Sequence, residues 1–143
     1  MVTGKHGGGG GSTSDAIGIT VGDLVRVLEG EVACGEEHLG RQVRGFAASD
    51  LLSDVLAFEK QEYALLTGLT NAQIVRTADI TGASCVVIVR NKKPQQAAVA
   101  LAQASAIPII LAPCSMFDAC AQLSRLAEPQ HDAVSRSPDT PGT

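Results

Sequence analysis

The chain has 143 residues and a mass of 14.7 kDa, the length of one domain with tails. It is 45% hydrophobic and 18% charged, with a mean hydropathy of +0.16, enough apolar mass for a core. A formal net charge of −4 and an aromatic content of 3% argue against a nucleic-acid partner, which requires a basic stripe or a stacking platform. No apolar run approaches the roughly 20 residues of a membrane-spanning helix, and residues 1–18 lack the apolar stretch of a signal peptide. The expectation is a cytoplasmic protein without membrane contact.

Taken in chain order, residues 1–18 hold the unbroken run Gly7 to Gly11 and are expected to be a disordered tail. Thr20 followed by Asp23 has capping-box spacing and opens a short helix with Leu24, Val25 and Leu28 on its apolar side, ended by Gly30. Residues 31–34 and 43–47 are short strand candidates. Ser49 is placed to cap a helix over 50–58 that carries Leu51, Leu52, Val55 and Leu56. From Tyr63 the alternation becomes regular. Strands are expected over 63–67, 85–89 and 107–112. Helices follow from Thr70 and Asn71, over 95–106, and from Ser115 to about Ala127, the last with Met116, Cys120, Leu123 and Ala127 on its apolar face. Residues 128–143 carry three prolines and no periodic face and are expected to be a second disordered tail. Strands apolar at every position and separated by helices are buried on both sides. The fold class is therefore α/β over 19–127: a small parallel sheet with an N-terminal helix and strand segment.

In open parallel sheets, ligands bind beyond the carboxyl ends of the strands. Those ends supply Thr67, Gly68, Thr70 and Asn71 from one loop, Asn91 and Lys92 from the next, and Cys114 and Ser115 from the third. Two of these loops run into helix N-termini, whose free N–H groups favour an anion. Gly68 permits close backbone approach, and Lys92 adds positive charge. The same residues also suit plain helix caps and a solvated turn.

Catalytic and metal constellations are absent from the sequence. His38 is the single histidine between the tails, in an acidic loop, and there is neither a P-loop nor a nucleophile elbow. No catalytic residue, metal ligand or cofactor is assigned. The four cysteines include no C-x-x-C pair. Cys85 and Cys120 read as core fillers. Cys34 and Cys114 are expected to be exposed, with Cys114 lowered in pKa by the adjacent helix N-terminus. Asp50 and Asp54, spaced i and i+4, suggest a metal or, more simply, Asp50 supporting a helix N-terminus.

The stretch Gly40-Arg41-Gln42-Val43-Arg44-Gly45, followed by Ala48-Ser49-Asp50-Leu51-Leu52-Ser53-Asp54-Val55-Leu56, resembles the DRTGG domain. Leu65 to Asn71, Lys93-Pro94, Ile107-Pro108-Ile109 and Met116-Phe117 extend the resemblance across the core. Gly40 stands where the family has its Asp, and Gln42-Val43-Arg44 departs from the name-giving motif. The resemblance implies an accessory module. Such domains accompany phosphotransacetylases and CBS-containing pyrophosphatases, contribute to subunit association in the pyrophosphatases, and have a fold like the N-terminal domain of HPr kinase/phosphorylase. What the resemblance implies is a free-standing regulatory or assembly module. Taken with the strand-end loops, the expected function is that of a non-enzymatic homodimer that senses a small nucleotide or phosphate-bearing anion and serves a partner enzyme. The other reading, from stand-alone members near iron-only hydrogenase genes, is a redox or iron–sulfur accessory protein using Cys34 and Cys114. The dimer interface is expected on Asp50, Leu51, Leu52, Ser53, Val55 and Leu56. Two short strands, unable to form their own sheet, would pack on the main sheet or pair across a partner's edge.

Overall fold

The structure, a computed structural model, describes residues 18–127; apart from Gly18, both expected tails lie outside the described residues. The elements in order are α1 (Val21–Leu28), β1 (Glu31–Cys34), a 3-10 turn (Glu36–His38), β2 (Gly45–Ala48), α2 (Leu52–Leu56) and β3 (Tyr63–Thr67). They continue with α3 (Ala72–Thr81), β4 (Cys85–Ile88), α4 (Gln96–Ala104), β5 (Ile109–Leu111) and α5 (Met116–Ala127). The strands form one five-stranded sheet in the order β1-β5-β4-β3-β2. β2 to β5 are parallel, and β1 joins β5 antiparallel with a register shift between Val32 and Cys34. This is the α/β class expected.

Strand alternation explains the layers. Tyr63 and Leu65, Val86 and Ile88, and Ile109 and Leu111 point to one face, where they pack with Val55, Ile74, Val75, Ala78, Ala98 and Ala102 of α2, α3 and α4. Ala64 and Leu66, Cys85 and Val87, and Ile110 point to the other, under Val21, Leu24 and Leu28 of α1 and Ala119 and Leu123 of α5. Successive parallel strands that step in one direction with crossovers of one hand put their helices on one side. The chain ends before β1 and after β5 must therefore cover the opposite face.

Several local expectations are corrected. The first helix stops at Glu29, which adopts the left-handed conformation at φ 53°, rather than at Gly30. Its start is as expected, with both capping-box bonds between Thr20 and Asp23 present. The helix expected over 50–58 shortens to Leu52–Leu56, and Leu51, not Ser49, is its cap, without a side-chain bond. On α5 the buried face carries Ala119 and Leu123, and Cys120 is exposed. Val43 lies outside β2; its N–H bonds the Ile19 carbonyl at 2.8 Å and its side chain is buried beneath α1. The two short strands both find places at the edges of the same sheet, so β pairing with a partner is not required to satisfy them.

The link from β1 to β2 closes one end of the sheet. Residues 39–43 pair with 19–22, through Gly22 N–H to Leu39 O, Val21 N–H to Arg41 O and a Thr20–Gln42 bridge. Ser84, just before β4, donates its hydroxyl to the Gln42 carbonyl at 2.6 Å. The amino ends of the strands are thereby covered, and the carboxyl ends face open loops. Gly40 sits in this covering link, exposed, with nothing within 4 Å of a Cβ built there.

Candidate functional site

Three loops meet at the carboxyl ends of β2, β3 and β4. The parallel register pairs Gly45 with Tyr63 and Ala48 with Leu66. Carried two residues further, it sets Asp50 opposite Gly68. The Gly68 N–H donates to Asp50 Oδ1 at 2.6 Å, and the buried Thr67 hydroxyl donates to the same oxygen at 3.1 Å. Thr67 Oγ1 in turn accepts the Leu69 N–H at 3.1 Å, so both capacities of this hydroxyl are used.

Lys92 arrives from the next loop. Arg90 and Asn91 both have left-handed backbones, at φ 65° and 56°, and their N–H groups bond the Cys114 and Ala112 carbonyls at 2.8 and 2.9 Å. A pair of non-glycine residues held at positive φ is costly and persists only where surrounding bonds hold it. The turn sends the chain back over β3, where Lys92 Nζ donates to the Gly68 carbonyl at 3.2 Å. A carboxylate and an ammonium thus grip the two polar groups of one glycine. A Cβ at Gly68 would lie 3.5 Å from both Asp50 Oδ2 and Lys92 Nζ.

The helix N-termini are ordered around this point. Asn71 Oδ1 accepts the Ile74 N–H at 3.1 Å and caps α3, while Thr70 uses its carbonyl to accept the Gln95 N–H. Ser115 Oγ accepts the Asp118 N–H at 3.1 Å at the start of α5. The expected binding residues therefore fall at one end of the sheet. Thr67, Gly68 and Lys92 converge directly, and Asn71 and Ser115 are engaged as caps. Phe117, which follows at the first turn of α5, is 79% exposed.

Asp50 belongs to this cluster and was expected elsewhere, in an interface and at a helix N-terminus. Its i, i+4 spacing with Asp54 hides its real partner, which only the β2–β3 register brings near. Along the expected interface, Val55 is buried in the core and Leu52 packs against it, whereas Leu51 and Leu56 are 57% and 54% exposed. Ser53 is exposed. The helix is thus partly internal and partly free.

The thiols differ from expectation. Cys34 is buried, with its Sγ toward the Ile107 carbonyl, because β1 is drawn into the sheet. Cys114 is half-buried, and burial together with Asp118 pushes its pKa up rather than down. Burial likewise raises Cys34, and pushes the fully enclosed Cys85 up to about 12. Among the described residues, no group of three or more His, Cys, Asp or Glu side chains is placed to hold a metal ion.

No family model and no curated protein matches this sequence. Among solved structures, the chain is similar to the CBS and DRTGG domains of the regulatory region of Clostridium perfringens pyrophosphatase, solved with its activator diadenosine tetraphosphate. The TM-score is 0.62 at 17% identity, over 77% of this chain and 47% of that one. The chain thus spans about half the length of that structure. At this identity the likeness is one of fold.

Proposed function

We propose that the protein is a non-enzymatic regulatory and assembly module of the DRTGG type. It takes a small phosphate-bearing anion at the carboxyl ends of β3 and β4, self-associates through α2, and serves a partner enzyme. The observation that carries the reading is the strained Arg90-Asn91 turn, which aims Lys92 at the Gly68 backbone beside the α3 N-terminus. A lysine and free helical N–H groups are the usual means of holding phosphate. The fold likeness to a pyrophosphatase regulatory region, itself complexed with a nucleotide activator, supports the same reading. The exposed Leu51, which caps α2, and Leu56, at its end, support self-association, since paired copies would cover them.

Thermal shift with tripolyphosphate and ATP at low salt tests the site. Both should raise the melting temperature, and Lys92→Ala or added salt should abolish the rise. No shift with either compound would remove the sensing function. Sedimentation equilibrium tests assembly: a species of 14.7 kDa persisting at tens of micromolar would end the self-association reading.

A further inference from the structure

We infer that Asp50 is a built-in latch: its carboxylate occupies the anion seat at Gly68, and a bound phosphate releases α2 by taking that seat. The inference rests on the phosphate site proposed above and assigns its regulation.

The seat is already filled. Gly68 N–H, at the mouth of β3, is bonded to Asp50 Oδ1 at 2.6 Å, with the Thr67 hydroxyl on the same oxygen. One N–H serves one strong acceptor, so a phosphate oxygen approaching Lys92 must displace the carboxylate or bind beside a like charge. Asp50 is itself exposed, so water is ready to receive it.

What Asp50 holds is the start of α2. Leu51, the helix cap, has no side-chain bond, the helix is five residues long, and Val55 is its one buried side chain. Such an element has little stability of its own and is set by its attachments. On the upstream side Ser49 stays fixed, its N–H bonding the Leu66 carbonyl at 3.0 Å. Leu51 N–H also bonds Ser49 Oγ at 3.0 Å, so losing the Asp50 contact leaves the start of α2 on neutral bonds to Ser49 and loosens the segment that carries the exposed Leu51 and Leu56. Phosphate binding and the exposed face of α2 become linked through one carboxylate, and by linkage each biases the other.

The test is tripolyphosphate titration of the wild type, Asp50→Ala and Asp50→Asn by calorimetry, with amide exchange of residues 50–58 followed in parallel. Asp50→Ala should bind about tenfold tighter, the competing charge being gone. Asp50→Asn, which keeps an acceptor without the charge, should fall between them. In the wild type, tripolyphosphate should speed exchange in 50–58; in Asp50→Ala exchange should already be fast and stay unchanged. Wild-type binding with Asp50→Ala no tighter overturns the latch and leaves the phosphate site standing. Failure of all three proteins to bind at millimolar tripolyphosphate overturns the site and the latch together. Should Asp50→Ala not fold, Asp50→Asn decides: tighter binding supports the latch, and equal or weaker binding overturns it.

Discussion

The two ends of β3 handle polar groups in opposite ways. At the amino end, the Tyr63 hydroxyl pairs with Thr81 Oγ1 at 2.6 Å, the Ser84 N–H bonds the Tyr63 carbonyl at 2.7 Å, and the Ser84 hydroxyl reaches Gln42. These neutral groups are mostly buried and satisfied by one another, beneath a chain segment that crosses over them; the charges at this end, the Arg44–Glu62 pair, lie exposed outside them. At the carboxyl end, the exposed charges Asp50 and Lys92 hold one glycine backbone in the open. Buried polar groups in mutual bonds secure a fold. Exposed charges on a strand end add little to stability and remain available for exchange. The amino end is closed by buried mutual bonds, and the carboxyl end, where we propose that an anion binds, keeps its charges in the open.

The largest effect that would break this comparison is at Tyr63. Its ring is fully enclosed and meets Phe58 edge-on, with centroids 4.5 Å apart. Tyr63→Ala should cost about 3–5 kcal/mol in urea unfolding, from the cavity left in the core; the Thr81 hydroxyl keeps its bond to the Thr77 carbonyl. Lys92→Ala, at the other end, should stay within about 0.5 kcal/mol. Comparable losses would show the carboxyl end to be structural too.

The glycines give a smaller and cleaner contrast. Gly35, ahead of the 3-10 turn, has φ +88°, and a Cβ there would sit 2.5 Å from the Pro108 Cα. Gly35→Ala should cost about 2 kcal/mol, read from the urea midpoint, because backbone conformation and space both refuse it. Gly68 has no left-handed backbone, and its nearest neighbours would be 3.5 Å from the new methyl. Gly68→Ala should therefore change stability by less than about 0.5 kcal/mol. A large loss there would mean that the grip of Asp50 and Lys92 is rigid.

How much of this was legible in the sequence depends on the range of the interaction. Local signals carried through: the Thr20–Asp23 capping box, the apolar run Tyr63 to Thr67, the Asn71 cap and the start of α5 at Met116 are all as expected. Errors arose where tertiary packing chose among local options. On α5, Leu123 and Met116 face the core as expected, but Cys120 is left exposed and Ala119 is buried beside them. The capture of β1 by β5 buried Cys34, which a loop-end position had suggested was free. The role of Asp50 was invisible because its partner lies 18 residues away, fixed by strand register. Lys92 was legible as a positive charge on a strand-end loop, but not its target, since the left-handed pair Arg90-Asn91 carries no glycine to announce it.

The thiols at the two ends offer the last and smallest test. Cys85 opens β4 at the amino end, fully enclosed, and burial pushes its pKa from an ordinary 9.0 up to about 12. Cys114 follows β5 at the carboxyl end, half-buried and raised by burial and Asp118. Below pH 9 the thiol of Cys85 is protonated in both folded and unfolded chains, and its full contribution is present. Between 9 and 12 the unfolded chain releases the proton and the folded one keeps it, so stability falls as pH rises. Cys34 and Tyr63, also raised, act in the same direction. Urea midpoints taken from about pH 8 to about pH 10.5 should therefore decline, by at most about 1.4 kcal/mol per pH unit for each group. Cys85→Ala should begin less stable, because of the cavity, and decline less steeply; Cys114→Ala should keep the wild-type slope more nearly. Native labelling with an aromatic disulfide supplies the kinetic counterpart. Cys114 and the exposed Cys120 should react near neutral pH, while Cys34 and Cys85 should wait for unfolding. Early labelling of Cys85 would mean that the amino end opens as readily as the carboxyl end, and the division between a permanent end and an exchanging one would be lost.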